Sequence, residues 1–168
     1  HDPFWDAEGD SAELPLIRSF LDAHPGPALD LGCGSGRFLL PLLGDGLDIE
    51  GIDCSTDMLA LCRQYAAGYD LSPVLHQGDM QSVKLAKTYQ AAIIPAFTLQ
   101  ILPNPSLALA NIRRHLAPGG GLYLSTFIPQ AELAGDPPED TWYLDHESSL
   151  PGDRTATSAA TELIIPAN

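Results

Sequence analysis

Four short segments of the chain carry residue types suited to holding a nucleotide-like ligand, and each follows an apolar run. The first is Asp30-Leu31-Gly32-Cys33-Gly34-Ser35-Gly36-Arg37. Alternate glycines remove Cβ atoms and let a ligand approach the backbone. The free N–H groups of a following helix then favour an anionic or polar group. The second is Asp53, 17 residues after Gly36. A carboxylate there can accept from both hydroxyls of a ribose, or it caps a helix starting near Ser55. The third is Gly78-Asp79-Met80, where the acid suits an amino group such as adenine N6 and the Met80 N–H suits a ring nitrogen. A plain Gly-Asp turn is the alternative. The fourth, Pro95-Ala96-Phe97, is an apolar wall suited to a sulfonium or a base, or is ordinary core. Met58 either covers a base or packs inside.

The glycine spacing separates two cofactor classes. A dinucleotide turn wants G-x-G-x-x-G, and its third glycine would fall on Arg37. The pattern present is G-x-G-x-G, one residue shorter. A tight strand-to-helix turn without a ligand would show the same glycines, so the spacing gains meaning only from the other three segments.

Those segments need elements to hold them. Helical spacing of Leu14, Ile17, Phe20 and Leu21 predicts a helix over Ser11–His24, with Ser11 as N-cap and Pro25-Gly26-Pro27 as its stop. Strands are expected at ALDL (28–31), LDIEGID (47–53), PVLHQGD (73–79), YQAAIIPAF (89–97) and GLYLSTFI (121–128). Helices are expected at RFLLPLL (37–43), at STDMLALCRQYAAG (55–68), capped by Ser55 or Thr56 and ended at Gly68, and at Pro105–Leu116. Pro118-Gly119-Gly120-Gly121 reads as the loop after that last helix. The near-continuous apolar run of the fourth strand marks it as buried on both faces. This alternation predicts an α/β fold with a mostly parallel sheet covered on both sides. Ligands of such sheets sit beyond the carboxyl ends of the strands, where all four segments fall. Beyond Phe127 the chain turns polar and Pro-rich, with one late strand expected over about 156–165.

Composition narrows the partners. The chain has 168 residues, 45% of them hydrophobic, which fits one domain. With 8 basic and 22 acidic residues the net charge is −14, so nucleic acid is not an expected partner. No apolar run reaches the ~18 residues of a membrane span, and the acidic start HDPFWDAEGD does not suit a signal peptide. Cys33, Cys54 and Cys62 show no metal-ligand spacing. They read as free thiols of a reducing compartment, so the expected location is cytoplasmic.

Taken in order, these segments resemble class I S-adenosylmethionine-dependent methyltransferases, in their small-molecule, single-domain branch. The resemblance runs over roughly residues 2–128. LDLGCGSGR is similar to the family's first motif, GIDCSTDML to its second-strand acid and helix, GDM to its adenine site, and HLAPGGGLYLS to its approach to the fifth strand. It implies a Rossmann-like, doubly wound fold, S-adenosyl-L-methionine as cofactor and a small-molecule acceptor. It further implies an N-terminal arm and cap helix over 1–26, a cofactor-binding core over 27–128 and a C-terminal extension over 129–168. The implied cofactor site comprises Asp30, Gly32, Cys33, Gly34, Gly36 and Arg37 toward the methionine end. Asp53, Cys54 and Met58 follow at the ribose, then Gly78, Asp79 and Met80 at the adenine, and Pro95 and Phe97 as a wall. Phe4 and Trp5 would close over the cofactor from the arm and border the acceptor pocket.

Three departures stand out. Tyr89-Gln90 occupies a position where many relatives carry an acid. IIPAFTLQIL lacks the Asn/Asp-Pro-Pro-aromatic signature of amino-group methylation on nucleic acids. The family's two closing antiparallel strands have room for at most one and a fraction, so a fragment or a truncated relative is expected. Methyl transfer from a sulfonium is an in-line displacement in which positioning supplies much of the catalysis. A base is needed only where the acceptor must lose a proton. His146 and Glu147 are the candidates, with Trp142 and Tyr143 as acceptor walls, unless that stretch is a surface loop; His76 reads as a strand residue. The competing readings are a non-catalytic cofactor-binding module and an NAD-type oxidoreductase.

Overall fold

The computed structural model describes residues 13–127 and the backbone of three short strands between 148 and 162. The elements, in chain order, are α1 (Glu13–Ala23), β1 (Ala28–Leu31), α2 (Leu39–Gly44), β2 (Ile49–Asp53), α3 (Thr56–Gly68), β3 (Leu75–Gln77) and β4 (Tyr89–Ile94). A 3₁₀ turn (Thr98–Ile101), α4 (Pro105–His115) and β5 (Leu116–Thr126) complete the continuous part. β6 (Ser148–Leu150), β7 (Arg154–Ala156) and β8 (Thr161–Glu162) follow. The sheet runs β3-β2-β1-β4-β5-β8. β1 to β5 are parallel, and β8 joins β5 antiparallel. The chain winds outward from β1 to β3 and returns to β1's other side with β4. The order therefore reverses between β1 and β4, the place where ligands of such sheets bind.

Strand alternation separates two apolar layers. Ala28, Ala91 and Ile93 face one way, onto Leu14, Ile17 and Leu21 of α1, Leu39 and Leu42 of α2, and Leu59 and Cys62 of α3. Leu29, Leu31, Ala92 and Ile94 face the other, onto Ala108 and Ile112 of α4. α3 begins as the sequence suggests, with the Ser55 hydroxyl accepting the Met58 N–H. No helix among the described residues is long and apolar enough to cross a membrane.

Several boundaries differ from the sequence reading, and four of the differences have a clear cause. β4 stops at Ile94 instead of Phe97, because Ala96 and Phe97 both take left-handed backbone angles (φ 53° and 60°). Gly68 lies inside α3, and the left-handed residue after it is Asp70. Pro118-Gly119-Gly120-Gly121 is a bulge within β5, since Tyr89 pairs with Leu116 but Ala91 pairs with Gly121. A Cβ on Gly120 would lie 2.9 Å from the Gln90 carbonyl oxygen. The late strand divides: Ala156 belongs to β7, paired with β6, and among the described residues of that stretch Thr161–Glu162 pairs with the main sheet.

A polar cluster lies toward the amino ends of the strands. Glu50 of β2 is buried, and its carboxylate accepts from the Tyr89 hydroxyl (2.8 Å), from His76 Nε2 (2.7 Å) and from Lys87 Nζ (2.5 Å). Burial pushes this carboxyl up, but the bonds from Lys87, His76 and Tyr89 outweigh it and hold the group below the usual glutamate range. A lowered carboxyl stabilises the fold above the ordinary glutamate range and loses that contribution as pH falls through its folded value. Lys87 and His76 keep solvent contact, so the buried Tyr89 hydroxyl suffers most when the acceptor is removed. Glu50→Ala is expected to lower stability by roughly 1–3 kcal/mol at pH 7. The loss should shrink in acid, as followed by denaturant melts; an unchanged midpoint at pH 7 would show that the cluster contributes nothing.

Candidate active site

The glycine loop joins β1 to α2. Gly32 and Cys33 donate to the Ile52 carbonyl (2.8 and 2.9 Å), and Gly34 donates to Asp53 Oδ2 at 2.9 Å. Gly34 sits at φ 53°, a conformation most side chains avoid. Asp53 Oδ1 accepts the Ser55 N–H at 2.8 Å. Asp53 thus receives the Ser55 amide just before α3 and stands against the glycine loop. Met58 is 38% exposed. Its Cε lies 3.2 Å from where a Gly34 Cβ would be, so it borders the loop rather than filling the core.

The other strand ends meet this loop. Gly78 donates to the Asp53 carbonyl at 3.0 Å. Met80 is buried, with its Cε 3.5 Å from the Cβ position of Gly32. The exposed Asp79 carboxylate takes the Gln81 N–H at 2.8 Å and the Gln81 side-chain amide at 3.0 and 3.2 Å. At the exit of β4, Thr98 Cγ2 reaches within 2.5 Å of the Gly32 Cβ position. Gly32 therefore has room for no side chain. Pro95 is buried, and Phe97 meets Phe127 edge to face with centroids 6.1 Å apart.

Asp30 is the charged group most enclosed here. It is 1% exposed, and neither carboxylate oxygen has a hydrogen-bond partner among the described residues. Burial, then the charges of Asp53 and Glu13, push it up to about 8. A buried acid with like-charged neighbours is poised for a cationic or strongly donating group.

The remaining predicted residues are placed differently. The Cys33 side chain packs into the core, its Sγ 2.7 Å from the Cβ position of Gly51. Burial pushes its thiol upward and that of Cys62 up to about 11, so neither is a thiolate nucleophile. Cys54 is exposed. A Cβ on Gly36 would meet Cys62 Sγ and Leu40 Cγ, each at 2.7 Å. Arg37 lies in the turn before α2, not on the helix, with its guanidinium 4.9 Å from the Phe38 ring centroid. Phe4, Trp5, Trp142, Tyr143, His146 and Glu147 lie outside the described residues.

Sequence reasoning missed two groups at this site. Glu13, at the start of α1, accepts the Ala96 N–H on Oε2 (3.3 Å), and Ser125 Oγ accepts the Phe97 N–H (3.4 Å). Together they cradle the left-handed pair at the exit of β4. Left-handed angles cost non-glycine residues about 1–2 kcal/mol each, so these contacts matter to the loop's shape. A spacing of 83 positions between Glu13 and Ala96 leaves no sequence signal.

The comparisons agree with this geometry. A family model described as "Methyltransferase domain" matches residues 28–120. A ubiquinone biosynthesis O-methyltransferase of Photobacterium profundum is 28% identical over 140 residues, covering 77% of this chain and 59% of the relative. The chain thus spans less than two thirds of that relative's length. The glycopeptide N-methyltransferase MtfA, complexed with S-adenosyl-L-methionine, superposes with a TM-score of 0.65 at 26% identity, over 91% of this chain and 66% of that one. CalS10, an amino pentose methyltransferase from Micromonospora echinaspora with bound S-adenosylmethionine, gives 0.66 at 26%, over 85% and 58%. The matched segment holds every strand of the switch point and the glycine loop. The chain belongs to the class I S-adenosylmethionine-dependent methyltransferase family.

Proposed function

We propose that this chain binds S-adenosylmethionine and transfers its methyl group to a small-molecule acceptor. The observation that carries the reading is Asp30, a buried carboxylate without a hydrogen-bond partner among the described residues, beside Asp53 and the glycine loop. The residues present fit the cofactor. Asp30 supplies a buried carboxyl that a bound ammonium group would hold ionised, and Gly32 and Gly34 leave the backbone bare beside it. On this reading Asp53 accepts from ribose hydroxyls, Asp79 and the Met80 backbone meet the adenine edge, and Met58, Pro95 and Phe97 serve as apolar walls. When bound, the cofactor supplies a methyl group already activated on a sulfonium.

What the protein adds is orientation and exclusion of water. The exit of β4 faces the glycine loop across the switch point, so the acceptor is expected to approach from that side. The named relatives methylate glycopeptide, amino-sugar and quinone-precursor acceptors. They support a small molecule without selecting oxygen, nitrogen or carbon as the acceptor atom. On this reading residues 1–26 form an arm and cap helix, 27–128 the cofactor core and 129–168 an extension. Isothermal calorimetry with S-adenosylhomocysteine tests it directly. Saturable one-to-one binding is the expected result, and absence of heat at millimolar ligand would remove the proposal.

A further inference from the structure

Two polar side chains of α4, the buried Asn111 and the half-buried His115, stand one helical turn apart and reach the loop after β3. Asn111 is 6% exposed. Its Nδ2 donates to the Met80 carbonyl (3.1 Å) and to the Val83 carbonyl (2.9 Å). His115 Nε2 accepts the Leu85 N–H (3.1 Å), and its Nδ1 lies 3.0 Å from the Asn111 carbonyl. An amide donating to Nε2 needs the lone pair there, so the ring proton sits on Nδ1 and donates to Asn111. Three bonds from one helix face therefore hold residues 80–85.

The first of these bonds continues to the binding edge. The Met80 carbonyl and the Gln81 N–H belong to one planar peptide unit, and they point in opposite directions. Asn111 holds the oxygen end. The N–H end donates to Asp79 Oδ1 at 2.8 Å. Fixing the plane at the oxygen thus fixes the direction from which the Asp79 carboxylate is held. The Gln81 side-chain amide also donates to that carboxylate, which shows that it accepts an NH₂ group in this orientation.

We propose that Asn111 is a positioning residue that sets base specificity, selecting a 6-amino purine over a 6-oxo purine through the Met80–Gln81 peptide and Asp79. The proposal rests on the S-adenosyl reading above. A rotated peptide would leave Asp79 free to turn, and a free carboxylate discriminates poorly between the two edges.

The test compares S-adenosylhomocysteine with S-inosylhomocysteine, its 6-oxo counterpart, by calorimetry. The wild type should prefer the amino ligand by about tenfold or more, the range of one hydrogen bond to a charged group. Asn111→Ala, which admits water to the two carbonyls, should cut that preference at least about fivefold. Asn111→Ser, with one hydroxyl donor for two carbonyls, should fall between and serves where the alanine variant does not fold. Asp79→Ala, at an exposed position, should abolish the preference, and adding Asn111→Ala or Asn111→Ser to it should change nothing further. An unchanged preference in a folded Asn111 variant overturns the positioning role while leaving the cofactor reading intact. A wild type that binds neither ligand, or both equally, overturns the base reading and this proposal with it.

Discussion

Replacing Asp30 by asparagine is expected to stabilise the ligand-free protein and to weaken its binding of S-adenosylhomocysteine. The two effects have one cause. Asp30 is buried in β1 with no hydrogen-bond partner among the described residues, and burial, Asp53 and Glu13 push its carboxyl up to about 8. A carboxyl raised in the folded state binds its proton more tightly there than in the unfolded chain. Its contribution to stability is therefore full below the ordinary aspartate range and is lost as pH rises toward 8. An asparagine carries no charge to bury or repel. The gain in the variant should be small near pH 4, grow through neutrality and level off above pH 8. A shift this large is worth several kcal/mol. The asparagine amide forfeits part of it by remaining in the same enclosed place, so roughly 1–3 kcal/mol is expected at the plateau. Binding moves the other way, because the ligand's ammonium group loses its counter-charge, and affinity should drop about tenfold or more. Melting curves from pH 4 to 9, with and without ligand, show both effects. A variant no more stable at pH 8 than at pH 4 relative to wild type would mean that Asp30 is not strained by its charge.

Asp53→Ala should produce the largest loss of binding. Its carboxylate is committed before any ligand arrives: Oδ2 holds the Gly34 N–H and Oδ1 the Ser55 N–H. Removing it deletes the proposed ribose acceptor and frees the loop that must lie against the ligand. The hydrogen bonds to a charged group that go with it are worth about 1.5–3 kcal/mol each. Affinity for S-adenosylhomocysteine is expected to fall about 100-fold or more. The fold should lose about 3 kcal/mol or more, because the Gly34 and Ser55 amides both lose their acceptor, although Ser55 still caps α3. Asp53→Asn retains one acceptor oxygen and should lie between. A folded alanine variant that binds within threefold of wild type would remove Asp53 from the site.

The elements were legible because local chemistry agrees with the fold. β1 is a short apolar run closed by Gly32, β2 ends at Asp53, and Ser55 and Asn104 cap their helices through their own side chains. The glycine spacing and Asp53 followed from the same reading. The left-handed pair Ala96-Phe97 did not, since neither residue prefers that conformation; Glu13 and Ser125 receive its two amides from distant segments. The β5 bulge was equally hidden, because Pro-Gly-Gly-Gly reads as a loop until β4 pairs on both sides of it.

The amino-acid sequence by itself determined the parallel α/β class, the order of its strands and helices, and the ends at which a ligand would be held. Those features depend on periodicity, turn residues and spacings within about twenty positions. Only the tertiary structure decided which groups hold those ends in shape. Asn111 lies 31 positions from Met80, Glu13 lies 83 from Ala96, and Tyr89 lies 39 from Glu50. A hydrogen bond across such a separation is fixed by how the sheet winds and which face each helix covers, and a single sequence leaves no local mark of it.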